Sequence, residues 1–125
     1  MTKTAVVIGV GPLRGLGAVL AQAAARDGLH VVVAGRTQDK LDAVSEAINQ
    51  AGGKATAVAC DTTEEAQVIE LINRAEAIGP LALAIYNAGN NMPGDFLEME
   101  ADYFDQCYRV GLLAASCSAA RLCAR

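Results

Sequence analysis

Four short stretches of this chain carry residues whose types and spacing suit the binding of a phosphate-bearing ligand. Gly11, Gly15 and Gly17 form a G-x-x-x-G-x-G string that follows the apolar run Val6-Val7-Ile8 and opens an Ala- and Leu-rich segment. A glycine turn between a strand and a helix lets backbone approach a phosphate, and the free N–H groups and positive dipole end of the helix favour an anion. Leu16 lies within this string, and Arg14 immediately precedes Gly15. In isolation a tight turn with no ligand reads the same way, so the inference depends on three further stretches: Gly35-Arg36-Thr37, Asp61-Thr62 and Asn87-Ala88-Gly89. Arg36 stands where a protein using an unphosphorylated dinucleotide usually places a carboxylate against the ribose 2′-hydroxyl. Arginine there suits a 2′-phosphate instead.

The elements that would position these stretches follow from the apolar pattern. Runs at 5–10, 30–34, 55–60 and 81–86 are nearly continuous in Val, Ala and Ile, as expected of parallel strands covered on both faces. Between them, Leu41, Val44, Ile48 and Ala51 make a one-sided helical stripe, as do Val68, Leu71, Ile72 and Ala75. Thr37 is placed to cap the first of these helices, and Thr62 with Glu65 has the spacing of a capping box for the second. Gly52-Gly53 and Gly79-Pro80 stop them. Alternating strands and helices imply right-handed βαβ units and a doubly wound parallel sheet. Such a sheet binds ligands beyond the carboxyl ends of its strands, where all four stretches fall. The segment 101–125 reads as one longer helix with an apolar face through Ala101, Phe104, Tyr108, Gly111, Ala115, Ala119 and Leu122.

Composition narrows the partners. With 125 residues, the chain reads as one unit, 1–125. A formal charge of −4 argues against a nucleic-acid surface, which needs a basic face to displace counterions. Cys60, Cys107, Cys117 and Cys123 form no CxxC pair or Cys/His cluster, so they read as small core residues of a reducing cytoplasm, with no metal site expected. The chain opens with no basic leader and cleavage site, and no apolar run reaches the ~20 residues that cross a bilayer. Hence a soluble, cytoplasmic protein is expected. His30 reads as structural, and Tyr86, Tyr103 and Tyr108 as packing residues.

Taken in order, the glycine motif ending Gly15-Leu16-Gly17, Ala34-Gly35-Arg36, Cys60-Asp61-Thr62 and Asn87-Ala88-Gly89 make the chain resemble the N-terminal half of a short-chain dehydrogenase/reductase. The resemblance covers essentially the whole sequence. It implies a Rossmann-like α/β fold with about four strands of a larger family sheet. It assigns the pyrophosphate to Gly11, Gly15 and Gly17, the adenine amino group to Asp61, and support of the sheet beside the adenosine ribose to Asn87 and Gly89. Arg14 and Arg36 together would clamp a 2′-phosphate, so NADP(H) is expected in preference to NAD(H).

The family chemistry is hydride transfer between the nicotinamide and a carbonyl or alcohol carbon, with a tyrosine as acid or base and a lysine four residues on lowering its pKa. No residue of this chain matches those roles: position 107 is Cys and position 112 is Leu, so Tyr103 and Tyr108 have no such lysine. Three positions depart from the family pattern. Val10 replaces a threonine, Tyr86 replaces the asparagine before Asn-Ala-Gly, and Gly111 stands where the family has a catalytic asparagine. The resemblance therefore implies an NADP(H)-dependent oxidoreductase, present here as its cofactor-binding half, inactive alone and prone to self-association. The alternative is a non-catalytic NADP(H)-binding or sensing module. A methyltransferase-like domain expects an acidic residue after the second strand, and Arg36 disfavours it.

Overall fold

The structure is a computed structural model that describes residues 2–89 and 96–123. Four strands, β1 (Thr4–Ile8), β2 (His30–Gly35), β3 (Lys54–Ala59) and β4 (Leu81–Tyr86), form one parallel sheet in the order β3-β2-β1-β4. Central β1 pairs Val6 with Val32 on one side and with Ala84 on the other. The chain thus winds outwards through β2 to β3, then crosses back to place β4 on the other side of β1. That reversal is the Rossmann-like topology expected, and it leaves a crevice at the carboxyl ends of the strands.

Alternation of side chains along the strands feeds two apolar layers. Ala5, Val7, Val31 and Val33 point to α1 (Leu16–Arg26) and α2 (Gln38–Gln50), which contribute Ala18, Ala21, Leu41, Val44 and Ile48. Val6, Ile8, Val32 and Ala34 point the other way, onto Val68, Leu71, Ile72 and Ala75 of α3 (Glu65–Ile78). Both stripes read from the sequence are thus buried, except that Ala51 ends α2 and is exposed. Truncating a buried leucine in such a layer removes its transfer energy and leaves a cavity, about 2 to 5 kcal/mol in comparable cores.

Local chemistry differs from expectation in three places. Thr37 does occupy the N-cap of α2, but its side chain makes no cap hydrogen bond. The N-cap of α3 is Glu64, so the Thr62–Glu65 capping box does not form; the Thr62 hydroxyl instead lies beside that of Tyr86. The last helix is broken: α4 (Ala101–Tyr108) passes through a π-helical turn, Arg109–Leu113, into α5 (Ala114–Cys123). Its inward face runs through Tyr103, Cys107, Val110, Ala114 and Ser118, one residue ahead of the stripe expected, while Ala101, Tyr108, Gly111 and Ala119 are exposed. The side chains of Phe104, Cys117, Leu122 and Cys123, and all of Arg125, lie outside the described residues.

His30, at the start of β2, sits with its Nε2 2.8 Å from Thr56 Oγ1 on the adjacent strand, which supports the structural reading of this residue. Burial, helped by Lys54, holds its pKa below the ordinary 6.5. The folded state therefore binds this proton less readily than the unfolded chain does, so the contribution to stability is full above 6.5 and is lost as pH falls below it. His30→Gln is expected to flatten the fall in melting temperature between about pH 7 and pH 5, measured by circular dichroism.

Candidate cofactor site

The glycine turn is built by close approach of two strand ends. Gly9 has φ +96°, and a Cβ there would overlap the Ala88 amide nitrogen and the Asn87 carbonyl carbon. The N–H groups of Gly9 and Val10 both donate to the Ala34 carbonyl at 2.9 Å, while the Asn87 N–H donates to Ile8 at 2.7 Å. The Asn87 side-chain amide adds a bond of 3.3 Å to the Gly9 carbonyl. Asn87 therefore ties the end of β4 to the turn, a sheet-supporting role of the kind the resemblance implies. Gly17 brings the start of α1 onto this knot, because a Cβ there would stand 2.6 Å from the Gly9 carbonyl oxygen. Gly15 caps α1 without a side-chain bond, and no acidic residue lies in the first turn. The first-turn amides of α1 thus have no side-chain cap.

Beyond the strand ends opens a cleft of about 260 Å³. Of the residues singled out in the sequence, Gly11, Arg36, Asp61, Thr62, Asn87, Ala88 and Gly89 lie on its wall. Arg14, Gly15, Leu16 and Gly17 do not: Gly15 and Gly17 shape the turn, while Arg14 and Leu16 are exposed. Two residues that the sequence reading passed over, Lys40 and Val110, join the wall. A signal for Lys40 was present. It stands four residues after Arg36, in the first turn of α2, where a cation opposes the helix dipole unless an anion is held nearby. The described residues give neither Arg36 nor Lys40 an ion pair.

Asp61 holds an Asx-type turn: its Oδ1 accepts from the Thr63 amide at 3.0 Å and from the Thr63 hydroxyl at 2.7 Å. Those bonds, with a smaller contribution from Arg36, keep its pKa below the usual carboxylate value, so it is an ionised acceptor at the cleft. Beside it, burial and then the Asp61 charge push the Cys60 thiol up to about 11. Cys60 is therefore a neutral thiol, not a nucleophile.

The wall fits a dinucleotide. Gly11 and Gly89 present open sides, where an added Cβ would meet no protein atom within 4 Å. Around them stand an ionised carboxylate and two cations. Among the described residues, Ser116 is exposed, Ser118 is buried in α5, and Tyr103 and Tyr108 do not line the cleft. Among the described residues no cluster of His, Cys, Asp and Glu could hold a metal, and no helix is long and apolar enough to cross a membrane.

Comparison with known proteins agrees with this geometry. The family model for short-chain dehydrogenases matches residues 3–123. An uncharacterised oxidoreductase of Mycobacterium tuberculosis is 42% identical over 96 residues, covering 76% of this chain and 36% of the relative. A ketoacyl reductase of a Nostoc species is 34% identical over 110 residues, covering 87% of this chain and 38% of the relative. A short-chain dehydrogenase structure from Rhodopseudomonas palustris superposes with a TM-score of 0.87 at 30% identity, over 95% of this chain and 55% of that one. The chain thus spans less than half the length of these two curated relatives. Fold, strand-end motifs and family match converge, and the chain belongs to the short-chain dehydrogenase/reductase family of NAD(P)-dependent oxidoreductases.

Proposed function

We propose that this chain is the cofactor-binding part of an oxidoreductase that transfers hydride between NADP(H) and a small carbonyl or alcohol substrate. The observation that carries the preference for the phosphorylated cofactor is Arg36 with Lys40 on one wall of the cleft, after β2. When bound, the dinucleotide supplies the hydride chemistry. The chain's own residues bind and orient it: the turn through Gly11 and the α1 amides receive the pyrophosphate, Asp61 the adenine amino group, and Arg36 and Lys40 the 2′-phosphate. Asn87 and Gly89 hold the adenosine side of the crevice. Titration calorimetry with NADPH and NADH tests this reading, with at least tenfold tighter NADPH binding expected at fixed low salt. Equal affinities would remove the preference.

A second reading, a binding or sensing module without chemistry of its own, draws support from Gly111 at the family's asparagine position. Under both readings the 125-residue chain binds dinucleotide without reducing ketones or aldehydes. Nicotinamide absorbance followed over a carbonyl panel checks this, and turnover by the purified chain would overturn it. Coding sequence downstream of Arg125 separates the two: an in-frame serine and Tyr-x-x-x-Lys favour the enzyme, a stop codon the module.

Self-association belongs to the same reading. β4 pairs only with β1 among the described strands, and Ala82, Leu83 and Ala84 are exposed along it. Unpaired strand edges with apolar side chains draw partners. Sedimentation velocity is expected to show a weight-average mass that rises with concentration, and a concentration-independent monomer would contradict it.

A further inference from the structure

Tyr86, a departure from the family pattern, reaches the residue that precedes a second departure, Gly111. Tyr86 ends β4, and its hydroxyl donates to the Val110 carbonyl at 2.6 Å while lying 3.3 Å from Thr62 Oγ1. Val110 immediately precedes Gly111 inside the π-helical turn. In an α-helix the amide of residue 114 would close on the carbonyl of residue 110. Here the Ala114 N–H goes instead to the Arg109 carbonyl, five residues back. The wider turn diverts the regular partner of the Val110 carbonyl, and the Tyr86 phenol is the donor that takes its place. Gly111 cannot brace the turn from its own side, since it has no side chain and a Cβ there would find no atom within 4 Å.

Both groups that meet the phenol, Thr62 and Val110, stand on the wall of the cleft. Tyr86 itself does not. We propose that Tyr86 is a positioning residue: its hydroxyl, in place of a side chain at position 111, holds the π-helical turn against the end of β4 and so fixes the Thr62 and Val110 wall of the dinucleotide cleft. Only the binding arm of this inference rests on the dinucleotide reading.

Tyr86→Phe keeps the ring and removes the hydroxyl. Hydrogen–deuterium exchange of the variant is expected to quicken by about tenfold at the amides of residues 109–115, with exchange in β1 and β2 unchanged. Tyr108→Phe, on the exposed side of the same helix, is the control and is expected to leave those amides as they are in the wild type. In calorimetry, Tyr86→Phe is expected to weaken NADPH binding by roughly three- to fivefold. Wild-type exchange at 109–115 in Tyr86→Phe, or acceleration spread evenly over the sheet, would overturn the bracing role. Faster local exchange with unchanged NADPH affinity would overturn the link to the cleft. Should the wild-type chain bind no dinucleotide, the reading of the cleft fails while the exchange data still decide whether Tyr86 holds the turn.

Discussion

Gly9→Ala is expected to lower the melting temperature by at least about 10 °C, whereas Gly11→Ala, two residues on, leaves it within about 1 °C. Gly9 combines two demands that alanine fails. Its φ of +96° lies in the region that an L side chain enters only at a cost of about 1 to 2 kcal/mol. Its missing Cβ is also where the backbone of Asn87 and Ala88 passes, and that backbone is fixed by the Asn87 bond to Ile8. Relief requires pulling the end of β4 from β1, so strain and a broken strand end add to about 3 to 5 kcal/mol, a large share of a domain's net stability. Gly11 carries neither demand, because a Cβ there meets open space. What alanine would fill at Gly11 is the cleft itself. Its NADPH affinity is expected to fall roughly tenfold in calorimetry while thermal unfolding by circular dichroism stays near wild type. A Gly9→Ala variant melting within about 2 °C of wild type would refute the close-approach account, and unchanged affinity in Gly11→Ala would place the pyrophosphate elsewhere.

Contrast between these two glycines shows what the sequence made legible. Gly11 opens the G-x-x-x-G-x-G string and Gly9 lies two residues before it, and the sequence places both just after the first strand, because parallel strands buried on both faces write themselves as continuous apolar runs with the candidate stretches directly after them. The same reasoning foresaw the α3 stripe, all four of whose residues are buried. It failed where a tertiary partner outcompeted a local one. Thr62 was spaced for a capping box, but its hydroxyl meets Tyr86, 24 residues away, a pairing that no local pattern encodes. On the last helix, two adjacent stripes carry similar small and apolar residues, so periodicity could not choose between Ala115 with Ala119 and Ala114 with Ser118. The π-helical turn between Tyr108 and Ala114 receives a hydroxyl from the end of β4 at the Val110 carbonyl, a contact that no pattern within the helix encodes.

Replacing Arg36 and Lys40 together by alanine is expected to weaken NADPH binding by about 30- to 50-fold and NADH binding by less than about threefold. The sequence paired Arg36 with Arg14. Structure places Arg14 exposed in the turn and off the cleft wall, and puts Lys40 on that wall with Arg36. Charge-assisted hydrogen bonds contribute about 1.5 to 3 kcal/mol, and both cations are exposed, which moves each towards the low end through solvent screening. At ~1.4 kcal/mol per tenfold, Arg36→Ala is expected to weaken NADPH binding about tenfold and Lys40→Ala about three- to fivefold. Lysine contributes less because it meets a phosphate as a point charge, without the planar fork of arginine. Arg14→Ala is the discriminating variant: a loss of less than about threefold leaves Lys40 as the second cation, while a tenfold loss restores Arg14 to the clamp. Raising salt from about 0.05 to 0.5 M should shrink the NADPH advantage in the wild type and leave little to shrink in the double variant. Calorimetric titrations of the wild type and the four variants with both cofactors make the comparison. If the double variant loses NADH affinity as steeply as NADPH affinity, the two cations support the fold or the shared part of the dinucleotide, and neither reads the 2′-phosphate.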